Sequence, residues 1–318
     1  MITAVYIPDC CLRPFETRRI RYAFHDIDGT HSLIREWPPV MSVVLHDVIE
    51  NGLPDGYDSP ANCERLIKLA GTRALPETDR FCVESAGLSA LTQMEWSIRR
   101  AIEEGRVRLD CDPSANSEKI RRIWRGEERF DGLPDPEPLR KLLASETPRL
   151  FRLYERVLNG YCRDRNLALA RNDPERFRVK GSFDFLRFLA ANGVRNYFVT
   201  GAVVQKGMGM FEEVETLGYP IGPGNIIEDI IGSTWDEKLP KDEIMRALLV
   251  KLGAKGCEVL VTGDGRSEIA AGCGMGAITV SRLPENALQQ RRLHTSLGTC
   301  MIVPDFASDS VYRVLKAE

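Results

Sequence analysis

The chain has no basic excess: 43 Lys and Arg stand against 46 Asp and Glu, a formal net charge of -3. That removes the electrostatic case for a nucleic-acid partner. It has no apolar window of the length that a bilayer span needs, so no membrane partner is expected. Its start, MITAVYIPDCCLRPFETRR, lacks a basic segment followed by a long apolar one, so no secretory leader is expected and the cytoplasm is the expected compartment. Nine cysteines include the adjacent Cys10 and Cys11 but no CxxC pair and no regular spacing, which argues against a zinc site or a disulfide framework and for reduced, mostly buried thiols. Internal repeats and low-complexity tracts are absent too.

What is present is ordinary globular composition. Hydrophobic residues make up 43% and charged residues 28% of 318 residues, enough for a sizeable core and for two domains, or one with a large insertion. The stretch RYAFHDIDGTHSL ends an apolar run with Asp26 and Asp28, followed at once by Gly29 and Thr30. Carboxylates so close repel each other unless a cation, a proton or a bound phosphate group intervenes.

The apolar run IRYAFHD predicts a buried strand. From Gly181 on, GSFDFLRFLAANG predicts a helix and VRNYFVTGA a strand entering a small-residue turn; VVQKGMGMFEEVETLG then predicts a helix and NIIEDIIGS a strand. KDEIMRALLVKLG, CEVLVTGDG, SEIAAGCGMG and AITVSR continue the alternation, TCMIVPDF predicts a last strand and SDSVYRVLKA a last helix. Alternation of this kind specifies an α/β fold with a parallel sheet covered on both faces. Ligands of such sheets bind at the carboxyl ends of the strands, where Asp26, Thr200 and Asp264 are expected. Between about Leu33 and Phe177 the texture changes to helical patterns separated by Pro-, Gly- and Asp-rich loops. Roughly 150 residues far exceed a strand-to-helix loop, so this stretch is expected to fold as a mostly helical domain of its own.

Four short motifs carry candidate chemistry. In HDIDGT, Asp26 at a strand end can attack phosphorus and Asp28 can protonate a leaving oxygen and then activate water; a plain Asp-Gly turn is the alternative. An EF-hand loop is a poor fit, since it needs another Asp or Asn at Thr30 and a glycine at His31. In FVTGA, Thr200 can hydrogen-bond a phosphoryl oxygen while Gly201 admits backbone N–H groups to the same anion. Lys241, at the start of a helix, can neutralise a phosphate and a carboxylate, or be merely solvated. In VLVTGDGRSE, Asp264 ends a strand and Glu268 lies a turn beyond; acidic groups from two strand ends can share Mg2+, and a helix-capping aspartate is the other reading.

In order and placement these motifs resemble the haloacid dehalogenase-like hydrolase superfamily, across the sequence before Leu33 and nearly all of that after Phe177. The resemblance implies a Rossmann-like core of residues 1–32 and 178–318 with a cap of residues 33–177, expected to set substrate specificity. It implies Asp26 as nucleophile and Mg2+ ligand, and Asp28 as acid/base that offers its backbone carbonyl to the metal. Gly29, Thr200, Gly201 and Lys241 would hold the phosphoryl group, and Asp264 would complete the metal site. Lys238 competes with Lys241 for the lysine role, and Glu268 departs from the usual aspartate. Because dehalogenases and phosphonatases lack a second aspartate at Asp28, the expected function is a Mg2+-dependent phosphatase of a small phosphorylated metabolite, with a sugar phosphomutase or a non-catalytic phospholigand sensor as alternatives. A homodimer is compatible with all of this.

Three other features have simpler readings. GCGMGA, Gly272 to Ala277, follows a helix and precedes a strand, the reverse of a dinucleotide fingerprint, and is expected to be a tight turn. His46-Asp47 lacks the further ligands that a helical metal phosphohydrolase needs. The arginines of CRDRNLALARNDPERFR are expected to form a solvated helix face, although they could also meet an anionic substrate.

Overall fold

The computed structural model describes residues 1–109, 112–234 and 239–318. Its strands are β1 (Ile2–Ala4), β2 (Arg18–Ile20), β3 (Tyr22–His25), β4 (Arg195–Gln205), β5 (Met208–Gly209), β6 (Ile227–Ser233), β7 (Val259–Gly263), β8 (Ile278–Arg282), β9 (Met301–Val303) and β10 (Leu315–Ala317). The order β6-β4-β3-β7-β8-β9 is parallel throughout, and β5 runs antiparallel to β4. A separate small sheet joins β10, β1 and β2.

The helices are α1 (Trp37–Asn51), α2 (Pro60–Leu69), α3 (Pro76–Glu84), α4 (Ala90–Glu103), α5 (Pro113–Trp124), α6 (Glu137–Leu158), α7 (Asp164–Ala170), α8 (Ser182–Ala191), α9 (Met210–Thr216), α10 (Lys241–Leu252), α11 (Arg266–Met275), α12 (Leu288–Leu297) and α13 (Asp309–Val314). Among the described residues no helix is long and apolar enough to cross a membrane.

Every residue of β3 and of β7 is buried, as central parallel strands require. Successive side chains point to opposite faces and so feed two different cores. Ala23 and Leu260 join Phe185 and Leu189 of α8 and Val311 and Val314 of α13. Tyr22, Phe24, Val259 and Val261 join Ile244, Met245 and Leu248 of α10. The sheet is therefore covered on both faces, and the fold class is α/β.

Two local expectations fail. The segment after Thr200 does not turn: β4 continues to Gln205, paired on one side with β6 through Val203 and Ser233 and on the other with β5 through Val204 and Gly209. β-branched Val203 and Val204 favour strand over helix, and Gly207, at φ 81°, reverses the chain, so the helix begins only at Met210. The last helix also stops early, at Val314, because Leu315–Ala317 pair with β1 as an edge strand. In GCGMGA, residues 272–275 form the end of α11, and the expected helix-to-strand turn is confined to the left-handed Gly276 and Ala277.

The chain divides into two compact units, one of Met1–Ile34, Asn166–Thr234 and Leu239–Glu318, the other of Arg35–Arg165. Within the first, the departing and returning strands of chain are tied together: Leu33 N–H donates to Phe177 O at 2.8 Å and Asn166 Nδ2 to Ile34 O at 2.9 Å. The second unit is helical. Its α4 packs against α1, α5 and α6, with Phe81 stacked on Trp96 at 3.8 Å between ring centroids. Arg99, with no exposed side-chain surface, is held there by Asp135, Glu95 and Asn116.

Candidate active site

β3 and β7 are adjacent and in register, His25 opposite Thr262, and Asp26 N–H continues the ladder to Thr262 O at 2.9 Å. Asp26 and Asp264 therefore leave neighbouring strand ends together. Beyond Asp26 the chain coils tightly: the carbonyl of Ile27 accepts from the amides of Thr30, His31 and Ser32. The coil needs a left-handed residue at Gly29, φ 76°, and a Cβ there would lie 2.0 Å from Asp264 Oδ2. Glycine is thus demanded twice over, by conformation and by the carboxylate that occupies its side-chain space.

Lys241, the first residue of α10, is buried. Its Nζ donates to Asp26 Oδ1 at 2.5 Å and to Glu268 Oε2 at 3.0 Å. Glu268 also caps α11 by accepting from Gly265 N–H at 2.5 Å, and a Cβ on Gly263 would fall 2.2 Å from Glu268 Cγ. Thr30 Oγ1 lies 3.3 Å from both Asp26 Oδ2 and Asp264 Oδ1, bridging the two aspartates. From the next strand, Arg282 Nη1 donates to Gly29 O at 2.9 Å.

Burial shapes the charges of this group. It raises the carboxyl of Asp26, an effect that Lys241 only partly offsets and to which Glu268 adds. It raises Asp264 well above the ordinary value, with repulsion from Asp26 and Glu268 acting in the same direction. For Lys241, burial opposes the charge, but Asp26 and Glu268 outweigh it and hold the ammonium. Glu268 remains ionised despite burial because Lys241 and backbone N–H groups favour its anion.

One oxygen from each of Asp26, Asp264 and Glu268 lies within 4.8 Å of the others. Three carboxylates around one ammonium, two of them pushed towards their protonated forms, form a hard-oxygen site that suits a small divalent cation such as Mg2+. Both oxygens of Glu268 are engaged, Oε1 by Gly265 N–H and Oε2 by Lys241, and Lys241 also holds Asp26 Oδ1.

Of the residues expected from sequence, Asp26, Gly29, Lys241 and Asp264 are brought together. Asp28 is half-buried on the same coil and forms a bridge with Ser32. Thr200 and Gly201 stand inside β4, where Thr200 Oγ1 accepts from Ala202 N–H at 3.1 Å. Lys238 lies outside the described residues. Sequence reasoning did not assign Thr30 or the Lys241–Glu268 pair; the spacing from Gly265 to Glu268, that of a glutamate folding back on its own helix start, was the available signal.

No family model and no curated protein matches the chain. Among solved structures, a Lactobacillus delbrueckii protein assigned as a phosphoglycolate phosphatase superposes with a TM-score of 0.50 at 13% identity, over 93% of this chain and 99% of that one. The chain has the haloacid dehalogenase-like fold. A Bacteroides vulgatus protein assigned as a beta-phosphoglucomutase matches at TM-score 0.49 and 13% identity, covering 94% of this chain and 89% of that chain. A Bacteroides fragilis haloacid dehalogenase-like hydrolase matches at 0.47 and 12%, covering 90% and 98%. At these identities the likeness is one of fold alone.

Proposed function

We propose that the protein is a Mg2+-dependent phosphatase of a small phosphorylated metabolite, working through a phosphoryl group held on Asp26. The reading is carried by one cluster: Asp26 and Asp264 at two adjacent strand ends of a haloacid dehalogenase-like sheet, Thr30 on the loop after Asp26, and the buried Lys241 and Glu268 in the first turns of α10 and α11. An oxygen of Asp26 attacks phosphorus, the bond to the ester oxygen breaks, and Asp28 gives that oxygen its proton. Asp28, now ionised, takes a proton from water as the water oxygen attacks the phosphorylated aspartate; inorganic phosphate leaves and Asp26 returns as carboxylate.

Lys241 orients Asp26 Oδ1 and keeps the site from repelling an anionic substrate. Thr200 and Gly201 on β4 are the remaining phosphoryl contacts in this reading. Mg2+, held by the carboxylates of Asp26 and Asp264 and the backbone carbonyl of Asp28, would neutralise charge on the transferring group. The helical unit of residues 35–165 would choose the substrate, since the residues above handle only phosphoryl group and metal.

Phosphate release from a panel of phosphorylated metabolites with Mg2+ tests this. Wild type should turn over at least one compound, and Asp26→Asn should lose about 10³-fold or more, as removal of a nucleophile does. No turnover of any phosphoester, or a fully active mutant, would refute the hydrolase. Transfer without release would instead identify a phosphomutase.

A further inference from the structure

Six side chains, each at most 2% exposed, form a polar string beneath the proposed catalytic loop: Tyr219, Ser182, His31, Thr262, His25 and Asn196. The polarity of the string is fixed at one end. Asn196 Nδ2 donates to the carbonyls of Leu186 and Ile226 at 3.1 and 2.9 Å, so its Oδ1 is an acceptor and the His25 Nε2 that faces it at 3.2 Å must carry a proton.

Both rings are fully buried and their hydrogen-bond partners, Asn196, Thr262 and Ser182, are uncharged, so each is a neutral imidazole with one donor and one acceptor nitrogen. His25 Nδ1 is then an acceptor and takes the Thr262 hydroxyl proton at 2.7 Å. Thr262 Oγ1 in turn accepts from His31 Nε2 at 3.4 Å. His31 Nδ1 accepts from Ser182 at 2.6 Å, and Ser182 from Tyr219 at 2.6 Å, with the His31 carbonyl a second acceptor for Tyr219 at 3.2 Å. The opposite tautomer at His31 would leave two acceptors facing each other or two donors competing. A single direction satisfies every atom of the string, and such fully paired buried networks specify one arrangement.

The string has a purpose in its placement. His25 precedes Asp26 and His31 follows Thr30, so the histidines bracket the loop, while Thr262 lies two residues before Asp264 on the neighbouring strand. We propose that Thr262 is a positioning residue: its hydroxyl, shared between His25 and His31, locks both ends of the Asp26–Asp28 loop to the strand that presents Asp264. The inference rests on the reading of those aspartates as a Mg2+ and phosphoryl site. Thr262 itself touches none of the reacting atoms.

Side-chain nitrogen NMR of the histidines tests the string in wild-type protein. His25 and His31 should both show the Nε2–H tautomer. His294 should show the Nδ1–H form, since its Nδ1 faces Ser281 at 2.8 Å while the Ser281 hydroxyl is directed to Thr299. Mg2+ binding by calorimetry without substrate tests the consequence. Thr262→Val should weaken it about tenfold, as loss of an outer-shell partner does, and disturb the His25 and His31 signals but not those of His294. Thr262→Ser should restore both. If the valine variant does not fold, Ser182→Ala removes the donor to His31 Nδ1, frees the ring that Thr262 shares with His25, and should also weaken Mg2+ binding. An Nδ1–H tautomer at His25 or His31, or wild-type Mg2+ affinity in a folded variant, would overturn the inference. Absence of Mg2+ binding in wild type would instead fault the proposed function, with the tautomers still deciding the string.

Discussion

At Gly29 the chain has no room for a side chain, because Asp264 Oδ2 would sit 2.0 Å from its Cβ. Gly29→Ala should therefore push Asp264 aside and force alanine into a left-handed conformation, which alone costs about 1–2 kcal/mol. The expected result is a lower unfolding midpoint in denaturant together with Mg2+ binding weakened by about tenfold or more; a variant matching wild type in both would mean that Asp264 is not held against this turn. Asp26 and Asp264 were legible in the sequence because each ends an apolar run that can only be a buried strand. Lys241 was legible only through its order relative to them. The bridging role of Thr30 and the pairing of Glu268 with Lys241 were not, because the partners, Asp264 for Thr30 and Lys241 for Glu268, stand 234 and 27 positions away. Of the two acids one residue apart, Asp26 is met by Lys241 and Thr30, and Asp28 is half-buried on the coil that follows.

Among the elements, the central strands were readable because β3 and β7 have no polar face. β4 was readable as far as Thr200 but not beyond it, because the small residues Gly201 and Ala202 look like a turn until the pairing of Val203 and Val204 with neighbouring strands overrides them. The helices between residues 35 and 165 were readable as elements, but their buried ion pairs were not. Asp135 takes a bidentate contact from Arg99, at 3.1 and 2.6 Å, and one from Lys119 at 2.7 Å. Burial alone would raise its carboxyl, yet these cations hold it below the ordinary value of 3.8. A depressed carboxylate contributes stability that is complete above its unfolded pKa and lost as pH falls through the folded one. Urea unfolding followed from pH 6 to pH 3 should show this loss setting in below about 4 in wild type. Asp135→Asn, which removes the carboxylate that Arg99 and Lys119 share and leaves Arg99 with Glu95, should be less stable at pH 6 by about 3–5 kcal/mol and should lack this part of the acid dependence; an unchanged profile would show that the Asp135 contacts contribute nothing.

At the scale of the molecule, the parallel order β6-β4-β3-β7-β8-β9 places β3, from the beginning of the chain, beside β7, from its last third, in the middle of the sheet. The insertion was visible in sequence by length alone, because no loop of that size joins a strand to its next helix in an ordinary α/β unit. Substrate choice was not visible, since recognition of a particular metabolite depends on side chains brought together by folding rather than on a motif. The central claim is that the phosphoryl group passes through Asp26, and the most direct test is peptide mapping of acid-quenched enzyme after a single turnover of a radiolabelled substrate with Mg2+. The account predicts label on the peptide that contains Asp26, and none in Asp26→Asn. Turnover with no labelled enzyme, or label on another residue, would contradict it.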